Sequence, residues 1–198
     1  PTLKLVGNAK TFAFMGQFYD FPLDGRTVTV KEGDTLSLGG HTLQFHMTPM
    51  VHWPEVMMTY ESSEKLLFSA DAFGSFGATG GNLFNDELNF DRDWLDDAGN
   101  IVGKYGLQVQ AALKKLSGLD IAMICPLHGP IWRSNLDNLL DKYDKWSRYE
   151  PEERAVAVLY ASMYGDTENA VNLLAAGLAD SGVKNIAMHD ISSPHVST

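Results

Sequence analysis

The chain has 198 residues, 44% of them hydrophobic, which is enough for one buried core or for one core and part of a second. Its 25 acidic and 15 basic residues give a formal net charge of −10, which argues against nucleic acid and anionic membrane surfaces as partners. A single cysteine, Cys125, excludes an intrachain disulfide. A lone cysteine gives no sign of an oxidising compartment, so a cytoplasmic location is expected. No apolar stretch reaches the ~18 residues of a membrane span, so we predict a soluble protein. Both ends of the chain are expected to be cut rather than finished.

The first strands are predicted where apolar and polar residues alternate. Between Arg26 and Thr48 the runs TVTV, TLSL and TLQFHM are separated by the turn signals EGD and GG, which predicts an antiparallel meander. The later runs KLLFSAD and DIAMICPLH each predict a buried strand that ends in polar residues. Between them, residues 105–116 carry apolar side chains at helical spacing, with Gly118 as a stop. Residues 74–100 show no period and predict a long surface loop.

The second half of the chain changes its pattern after one further helix. Ser134 is the expected N-cap of that helix, with Asp137 three residues later and apolar residues following on one face. The segment EPEER interrupts the pattern, which divides the chain into a domain of residues 1–149 and a second of residues 150–198. There AVAVLYAS, ENAVNLLAAGLADSG and VKNIAMHDI predict strand, helix and strand, a βαβ unit of a parallel sheet.

Three residues that can bind a metal each follow a predicted strand. His52 follows HTLQFHMTP, Asp71 ends KLLFSAD, and His128 follows DIAMICP. If the strand ends share one edge of the sheet, their imidazole and carboxylate groups can converge on iron or zinc, and the two oxygens of Asp71 could bridge two metals. Each has a structural alternative, since His52 could be a packed residue and Asp71 could cap the next loop. For the other four histidines, His41, His46, His189 and His195, a structural or solvated role is expected.

The turn SMYGDTEN between the last strand and its helix predicts a phosphate site. Ser162 and Thr167 offer hydroxyls, Gly165 gives flexibility, and backbone N–H groups at a helix N-terminus favour an anion. The absence of a lysine excludes a GxxxxGK[ST] P-loop. The alternative is a simple capped turn, with Thr167 or Asp166 as N-cap.

The segments TPMVHWPEVMMTY, LLFSADAFGSFG and ICPLHGPIW resemble three successive motifs of the flavodiiron proteins, also called A-type flavoproteins. The resemblance implies an α/β fold, a partial metallo-β-lactamase-like αββα sandwich followed by the first βαβ unit of a flavodoxin-like domain. It makes His52 the second histidine ligand, Asp71 the bridging aspartate and His128 the final histidine ligand. SMYGDTEN resembles the flavodoxin FMN loop, which implies phosphate contacts from Ser162, Met163, Tyr164, Gly165, Asp166 and Thr167.

The resemblance also implies an activity. Relatives pass electrons from a rubredoxin or a flavin reductase to FMN, and then to two iron ions that reduce dioxygen to water or nitric oxide to nitrous oxide. They form head-to-tail homodimers or dimers of dimers, and Trp53 is expected near that contact. Two alternatives stay open: a zinc-dependent hydrolase of the metallo-β-lactamase superfamily, and an inactive fragment or dimerisation module without bound cofactor.

The sequence departs from the family pattern at three places. The H-x-E-x-D-H motif, which supplies further iron ligands in the family, has no equivalent in residues 1–43. The segment DDAGNIVGKYG is shorter than the corresponding family segment. Glu55 stands where many relatives have aspartate.

Overall fold

The structure, a computed structural model, describes residues 3–20, 22–88 and 103–192. The chain forms two compact units, Pro1–Glu150 and Pro151–Thr198. The described elements of the first unit are, in chain order, β1 (Leu5–Gly7), α1 (Ala9–Phe18), β2 (Thr27–Thr29), β3 (Thr35–Ser37), β4 (Thr42–Met47), β5 (Met57–Glu61), β6 (Leu66–Phe68), a 3-10 turn (Asn85–Glu87), α2 (Gly106–Leu116), β7 (Met123–Cys125) and α3 (Leu136–Ser147).

The first unit is built on a five-stranded sheet with the strand order β3-β4-β5-β6-β7. Strands β3 to β6 pair antiparallel, and β7 pairs parallel to β6. The predicted meander is therefore correct for β3 and β4 but wrong for β2, which pairs parallel with β1 in a separate two-stranded sheet. Alternation indicates that a segment is a strand, but the choice of partner depends on contacts far along the chain.

One face of this sheet carries the core. Met58, Leu67 and Ile124 are fully buried there, under the helices α2 and α3. Helix α2 buries one stripe, because residues at i, i+3 and i+7 lie on one side of a helix. Tyr143 and Leu139 of α3 complete the same cluster, whose helical members are Val109, Ala112, Leu116, Leu139 and Tyr143. The predicted helix faces therefore pack, except at Leu107, which was placed on the apolar face of α2 but is 84% exposed.

The opposite face of the sheet is also apolar. Its register places Leu66 beside Met123 and Phe68 beside Cys125. The Phe68 side chain is 46% exposed, and burial raises the pKa of the half-buried Cys125 thiol. Both faces of this sheet therefore carry apolar residues, as expected of a sheet made to lie between two layers.

The start of α3 differs from the prediction. The helix begins at Leu136, after Asn135 in a left-handed conformation with φ of 57°, and it has no side-chain cap. Ser134, the predicted N-cap, instead accepts hydrogen bonds from the Asn85 amide through its hydroxyl and its carbonyl oxygen, each at 3.0 Å. A long-range partner has displaced the local capping interaction.

The second unit, described by itself, contains β8 (Ala155–Tyr160), α4 (Asp166–Asp180) and β9 (Asn185–Asp190). The strands pair parallel from Ala155 beside Asn185 to Tyr160 beside Asp190. After α4 the chain turns at Gly182, whose φ of 89° suits a residue without a side chain. The predicted βαβ unit is present, although β8 alternates between exposed and half-buried residues rather than being fully buried. Across the described parts of both units, no helix combines the length and the apolar character needed to cross a membrane.

The turn between β5 and β6 depends on a buried carboxylate. Glu61 is 5% exposed, and its carboxylate accepts the N–H groups of Ser63 at 2.9 Å and Glu64 at 2.7 Å. Burial acts to raise the pKa of Glu61, but these hydrogen bonds, with one from His41, outweigh it and lower the pKa from 4.5 to about 2. Because the folded pKa is the lower one, this stabilisation is present above pH 4.5 and is lost as the pH falls towards 2.

Glu61→Gln is therefore expected to lower the melting temperature at neutral pH and to make little difference near the folded pKa of about 2. Thermal unfolding of both proteins across this pH range checks the expectation. Glu64→Gln is the matched control, since Glu64 lies in the same turn but is exposed. A constant difference between Glu61→Gln and the original protein at every pH would contradict it.

Candidate metal site

The three predicted metal ligands follow strands that run in the same direction. Strand β5 is antiparallel to both β4 and β6, and β7 is parallel to β6. The carboxyl ends of β4, β6 and β7 consequently lie at one edge of the sheet. His52 lies in the loop after β4, Asp71 in the loop after β6, and His128 in the loop after β7.

His52 and Asp71 are in direct contact. His52 Nε2 lies 3.3 Å from Asp71 Oδ2, and the two side chains are 31% and 22% exposed. A cavity of about 10 Å³ lies beside the pair, which is room for about one water molecule. It is lined by Val51, His52, Asp71, Ala72, Tyr105, Val109 and Tyr143. An imidazole nitrogen and a carboxylate oxygen therefore meet at a half-buried point at the sheet edge.

His128 is held in one orientation by two contacts. Its Nδ1 lies 3.2 Å from the carbonyl oxygen of Ser75, and its ring stacks on Phe76 at 4.9 Å with an interplanar angle of 17°. A carbonyl oxygen can only accept, so Nδ1–H donates in this contact, and Nε2 is the ring nitrogen that could bind a metal. Histidines that bind metals are commonly oriented by such a bond from the other ring nitrogen.

The side chains of His52, Asp71 and His128 offer the types of ligand atom that iron and zinc prefer. Imidazole and carboxylate suit iron and zinc, and His52 and Asp71 already point at each other. Within residues 3–20, 22–88 and 103–192, however, no group of three or more His, Cys, Asp or Glu side chains is close enough together to hold a metal ion. The structure brings together two of the three predicted ligands and orients the third separately. The assignment of all three as ligands stays a prediction.

Two residues near the pair had no role in the sequence interpretation. Tyr105 and Tyr143 both line the small cavity. The sequence indicates only that Tyr105 begins one helix and that Tyr143 lies on one face of another. Glu55, noted as a substitution, has a buried carboxylate oxygen, Oε2, with no hydrogen-bond partner among the described residues. The cavity joins segments far apart along the chain, so no local motif could have indicated it.

The predicted phosphate loop lies at the start of α4 in the second unit. Ser162 Oγ accepts the N–H groups of Gly165 at 3.1 Å and Glu168 at 3.3 Å, and Gly165 has a φ of 89°. The first N–H groups of a helix have no partner within it, and those of Asp166 and Thr167 are the first two of α4. The Met163 and Tyr164 side chains are 85% and 89% exposed. Asp166 and Glu168 bring negative charge into the first turn, which opposes an anion.

The remaining histidines can be located except His195, which lies outside the described residues. His41 Nδ1 contacts Glu61 at 3.3 Å, His46 Nδ1 lies 3.5 Å from Glu32, and His189 is exposed in β9. Burial acts to raise the pKa of Glu32. Hydrogen bonds and nearby positive charges outweigh it and lower the pKa, and the largest of these contributions is the hydrogen bond from Lys115. These placements agree with structural or solvated roles.

The fold and this sheet edge define an α/β protein of the β-lactamase-like type, and comparison with known proteins gives its family. The model of the ODP family beta lactamases matches residues 2–129. Anaerobic nitric oxide reductase flavorubredoxin from Aeromonas hydrophila is 35% identical over an alignment of 174 residues that covers 81% of this chain and 34% of that protein. The chain therefore belongs to the ODP family of β-lactamase-like proteins and is a relative of the flavodiiron proteins.

Solved structures agree with this assignment. The flavodiiron protein from Giardia intestinalis is similar with a TM-score of 0.87 and 29% identity, covering 95% of this chain and 46% of that one. Rubredoxin oxygen:oxidoreductase from Desulfovibrio gigas is similar with a TM-score of 0.87 and 28% identity, covering 97% of this chain and 49% of that one. The chain thus spans between about a third and about a half of the length of these relatives.

Proposed function

We propose that this chain is part of a flavodiiron oxidoreductase, in which electrons pass from FMN to a diiron site that reduces dioxygen to water or nitric oxide to nitrous oxide. Its fold would be a partial metallo-β-lactamase-like sandwich, residues 1–149, and the first βαβ unit of a flavodoxin-like domain, residues 150–198. The observation that carries the proposal is the contact of 3.3 Å between His52 and Asp71 at the sheet edge of an ODP family protein. Two relatives are, by name, a nitric oxide reductase and an oxygen oxidoreductase.

The metal-binding part of the proposal uses three residues of this chain. His52 and Asp71 would each supply one donor, and the second oxygen of the Asp71 carboxylate would be available to another ion. His128 would supply Nε2, because its Nδ1–H is directed at the Ser75 carbonyl. When bound, the iron ions would supply the redox chemistry. The half-buried position of the His52 and Asp71 side chains would limit, without preventing, access from solvent.

The flavin part of the proposal uses the loop before α4. The N–H groups of Asp166 and Thr167 and the hydroxyl of Thr167 would hold the FMN phosphate, while Ser162 fixes the loop through its bonds to Gly165 and Glu168. Similarity to the solved structures covers 95% and 97% of the chain, so it extends into this second unit. Both cofactors would have binding residues in one chain.

Partners and location follow from the same proposal. The electron donor would be a rubredoxin or a flavin reductase, and two chains would pair head to tail in the cytoplasm. Trp53, which is 53% exposed beside His52 with ring centroids 6.3 Å apart, would lie at that contact. A net charge of −10 favours a donor that presents basic groups.

The proposal is tested on the purified protein by visible absorption for flavin and by elemental analysis for iron and zinc. We expect flavin and iron together. Asp71→Asn is expected to weaken metal binding by at least roughly tenfold and to leave flavin unchanged. Ser162→Ala is expected to weaken flavin binding and to leave the metal unchanged, so each variant is the control for the other.

The other outcomes identify the alternatives. Zinc without flavin would favour a hydrolase of the metallo-β-lactamase class, and the flavodiiron proposal would then be wrong. Neither metal nor flavin would favour a module without a cofactor. Loss of both cofactors in one variant would point to unfolding, which circular dichroism detects.

A further inference from the structure

The loop between β6 and the 3-10 turn has an unusual backbone on both sides of Asp71. Ala70 has a φ of 55° and Phe73 a φ of 64°, so two residues with side chains adopt the left-handed conformation that favours glycine. Such residues persist only where the surrounding structure holds them, and they occur often at functional sites. Contacts with the surrounding structure must therefore hold this loop.

Phe73 is held at both of its backbone polar groups by side chains from elsewhere in the fold. Its N–H donates to the hydroxyl oxygen of Tyr143 at 2.8 Å, and its carbonyl oxygen accepts from Trp132 Nε1 at 2.9 Å. All three residues are buried, with exposures of 2%, 2% and 4% for Phe73, Tyr143 and Trp132. The Tyr143 and Phe73 rings also lie 4.6 Å apart. Burial raises the pKa of Tyr143, so its hydroxyl stays neutral.

Hydrogen bonds between residues close in sequence connect Phe73 to the rest of the loop. Ser69, fully buried, donates its hydroxyl to the carbonyl oxygen of Ala72 at 2.7 Å. The Gly74 N–H donates to the carbonyl oxygen of Asp71 at 3.1 Å. The peptide groups of residues 71–74 therefore have fixed partners, and a displacement of Phe73 would be passed directly to Asp71.

The same loop also determines where His128 lies. A Cβ atom on Gly74 would be 2.5 Å from His128 Cε1 and 2.8 Å from Nδ1, so the imidazole ring lies directly on the Gly74 backbone. The next residue, Ser75, supplies the carbonyl oxygen that orients His128. One backbone segment thus places a carboxylate and an imidazole of the candidate site.

We propose that Tyr143 and Trp132 are positioning residues for the candidate metal site: by binding the N–H and the carbonyl oxygen of Phe73, they fix the loop that carries Asp71 and supports His128. We call this pair of contacts the Phe73 clamp. The inference rests on the proposed function for its effect on metal binding. The contacts themselves do not depend on that function. Neither residue is a proposed metal ligand, and each acts on the site through the loop, although Tyr143 also lines the small cavity beside His52 and Asp71.

The test uses Tyr143→Phe in the purified protein, which removes the acceptor oxygen and keeps the ring that packs on Phe73. The matched control is Tyr60→Phe. Tyr60 is also buried, at 7% exposure, and its hydroxyl donates to a backbone carbonyl, that of Asp120, at 2.7 Å. Both variants lose one buried hydroxyl, but only Tyr143 contacts the loop of Asp71.

The first readout is hydrogen exchange at the Phe73 amide in metal-free protein. We expect exchange at least roughly tenfold faster in Tyr143→Phe than in Tyr60→Phe, because only Tyr143→Phe removes the acceptor of this N–H. The second is zinc or iron affinity, measured by competition with a chelator. We expect roughly tenfold weaker binding in Tyr143→Phe, the size of effect usual for residues that orient ligands, and no change in Tyr60→Phe.

Trp132→Phe is the second variant, since it removes the donor to the Phe73 carbonyl and serves if Tyr143→Phe does not fold. Unchanged exchange and affinity in either folded variant would overturn the clamp. Equal losses of affinity in Tyr143→Phe and Tyr60→Phe would also overturn it, because they would show general destabilisation. If Asp71→Asn left metal binding intact, the proposed metal site would fail. The exchange readout would then decide the clamp alone.

Discussion

Gly106→Ala is expected to destabilise the first unit by about 3 kcal/mol, the upper end of the usual cost of over-packing. Gly106 is the first residue of α2, and a Cβ atom there would lie 2.3 Å from the carbonyl oxygen of Ser147 at the end of α3. The obstacle is a backbone atom, so no side-chain rotation can relieve it. The helices would have to separate, and that would open the core around Val109 and Leu139.

Other contacts make this separation costly. Gln110 of α2 donates from its side-chain amide to Asp144 Oδ1 and to Ser147 Oγ, each at 2.8 Å. The hydrogen bond from Gln110 makes the largest contribution to the lowered pKa of Asp144. These bonds need the same close approach of α2 and α3 that Gly106 permits. Their loss would add to the cost of the displaced helix.

The stability of the variant is measured by urea unfolding followed by tryptophan fluorescence. All four tryptophans precede residue 151, so the signal reports on the first unit alone: Trp53, Trp94, Trp132 and Trp146. The control is Gly16→Ala in α1, where no atom lies within 4 Å of the new Cβ and a gain of up to about 1 kcal/mol is expected from helix propensity. A Gly106→Ala protein as stable as the original would contradict the described packing of α2 on α3.

The elements that the sequence predicted well are those with strong local patterns. The apolar runs before Asp71 and His128 became β6 and β7, and the βαβ unit pairs in parallel as predicted. Helix α1 was missed because none of its residues is buried, so no apolar stripe marks it. Its start does carry a local signal, since Asn8 accepts the N–H groups of Lys10 and Thr11.

The candidate site was predictable only in part, for a physical reason. A candidate metal ligand at the end of a strand can be recognised in the sequence, because the polar residue follows the apolar run of the strand directly along the chain. The contact between His52 and Asp71 depends on the order of β4, β5 and β6, which no local pattern specifies. The Phe73 clamp is even less predictable from the sequence, because Tyr143 lies 70 residues beyond Phe73. The sequence indicates only that Tyr143 lies on the apolar face of a helix. Contacts between distant segments need the folded structure.

Gly74→Ala is expected to have the largest effect at the candidate site. The new Cβ atom would lie 2.5 Å from His128 Cε1 and 2.9 Å from the carbonyl oxygen of Asp71. Either the His128 ring leaves Ser75 and Phe76, or the loop moves and carries Asp71 away from His52. We expect a loss of stability of about 1–3 kcal/mol. Both movements also displace a proposed ligand, so metal affinity should fall by at least roughly tenfold.

A double variant separates the two consequences of Gly74→Ala. Gly74→Ala combined with His128→Ala removes the ring that the new methyl group meets, so part of the lost stability should return while metal affinity stays low. Gly118→Ala is the matched control, because no atom lies within 4 Å of its Cβ and a change within about 0.5 kcal/mol is expected. Urea unfolding and chelator competition give the two measurements. If the double variant is no more stable than Gly74→Ala, the His128 ring is not what the methyl group displaces, and the overlap with the Asp71 carbonyl accounts for the cost.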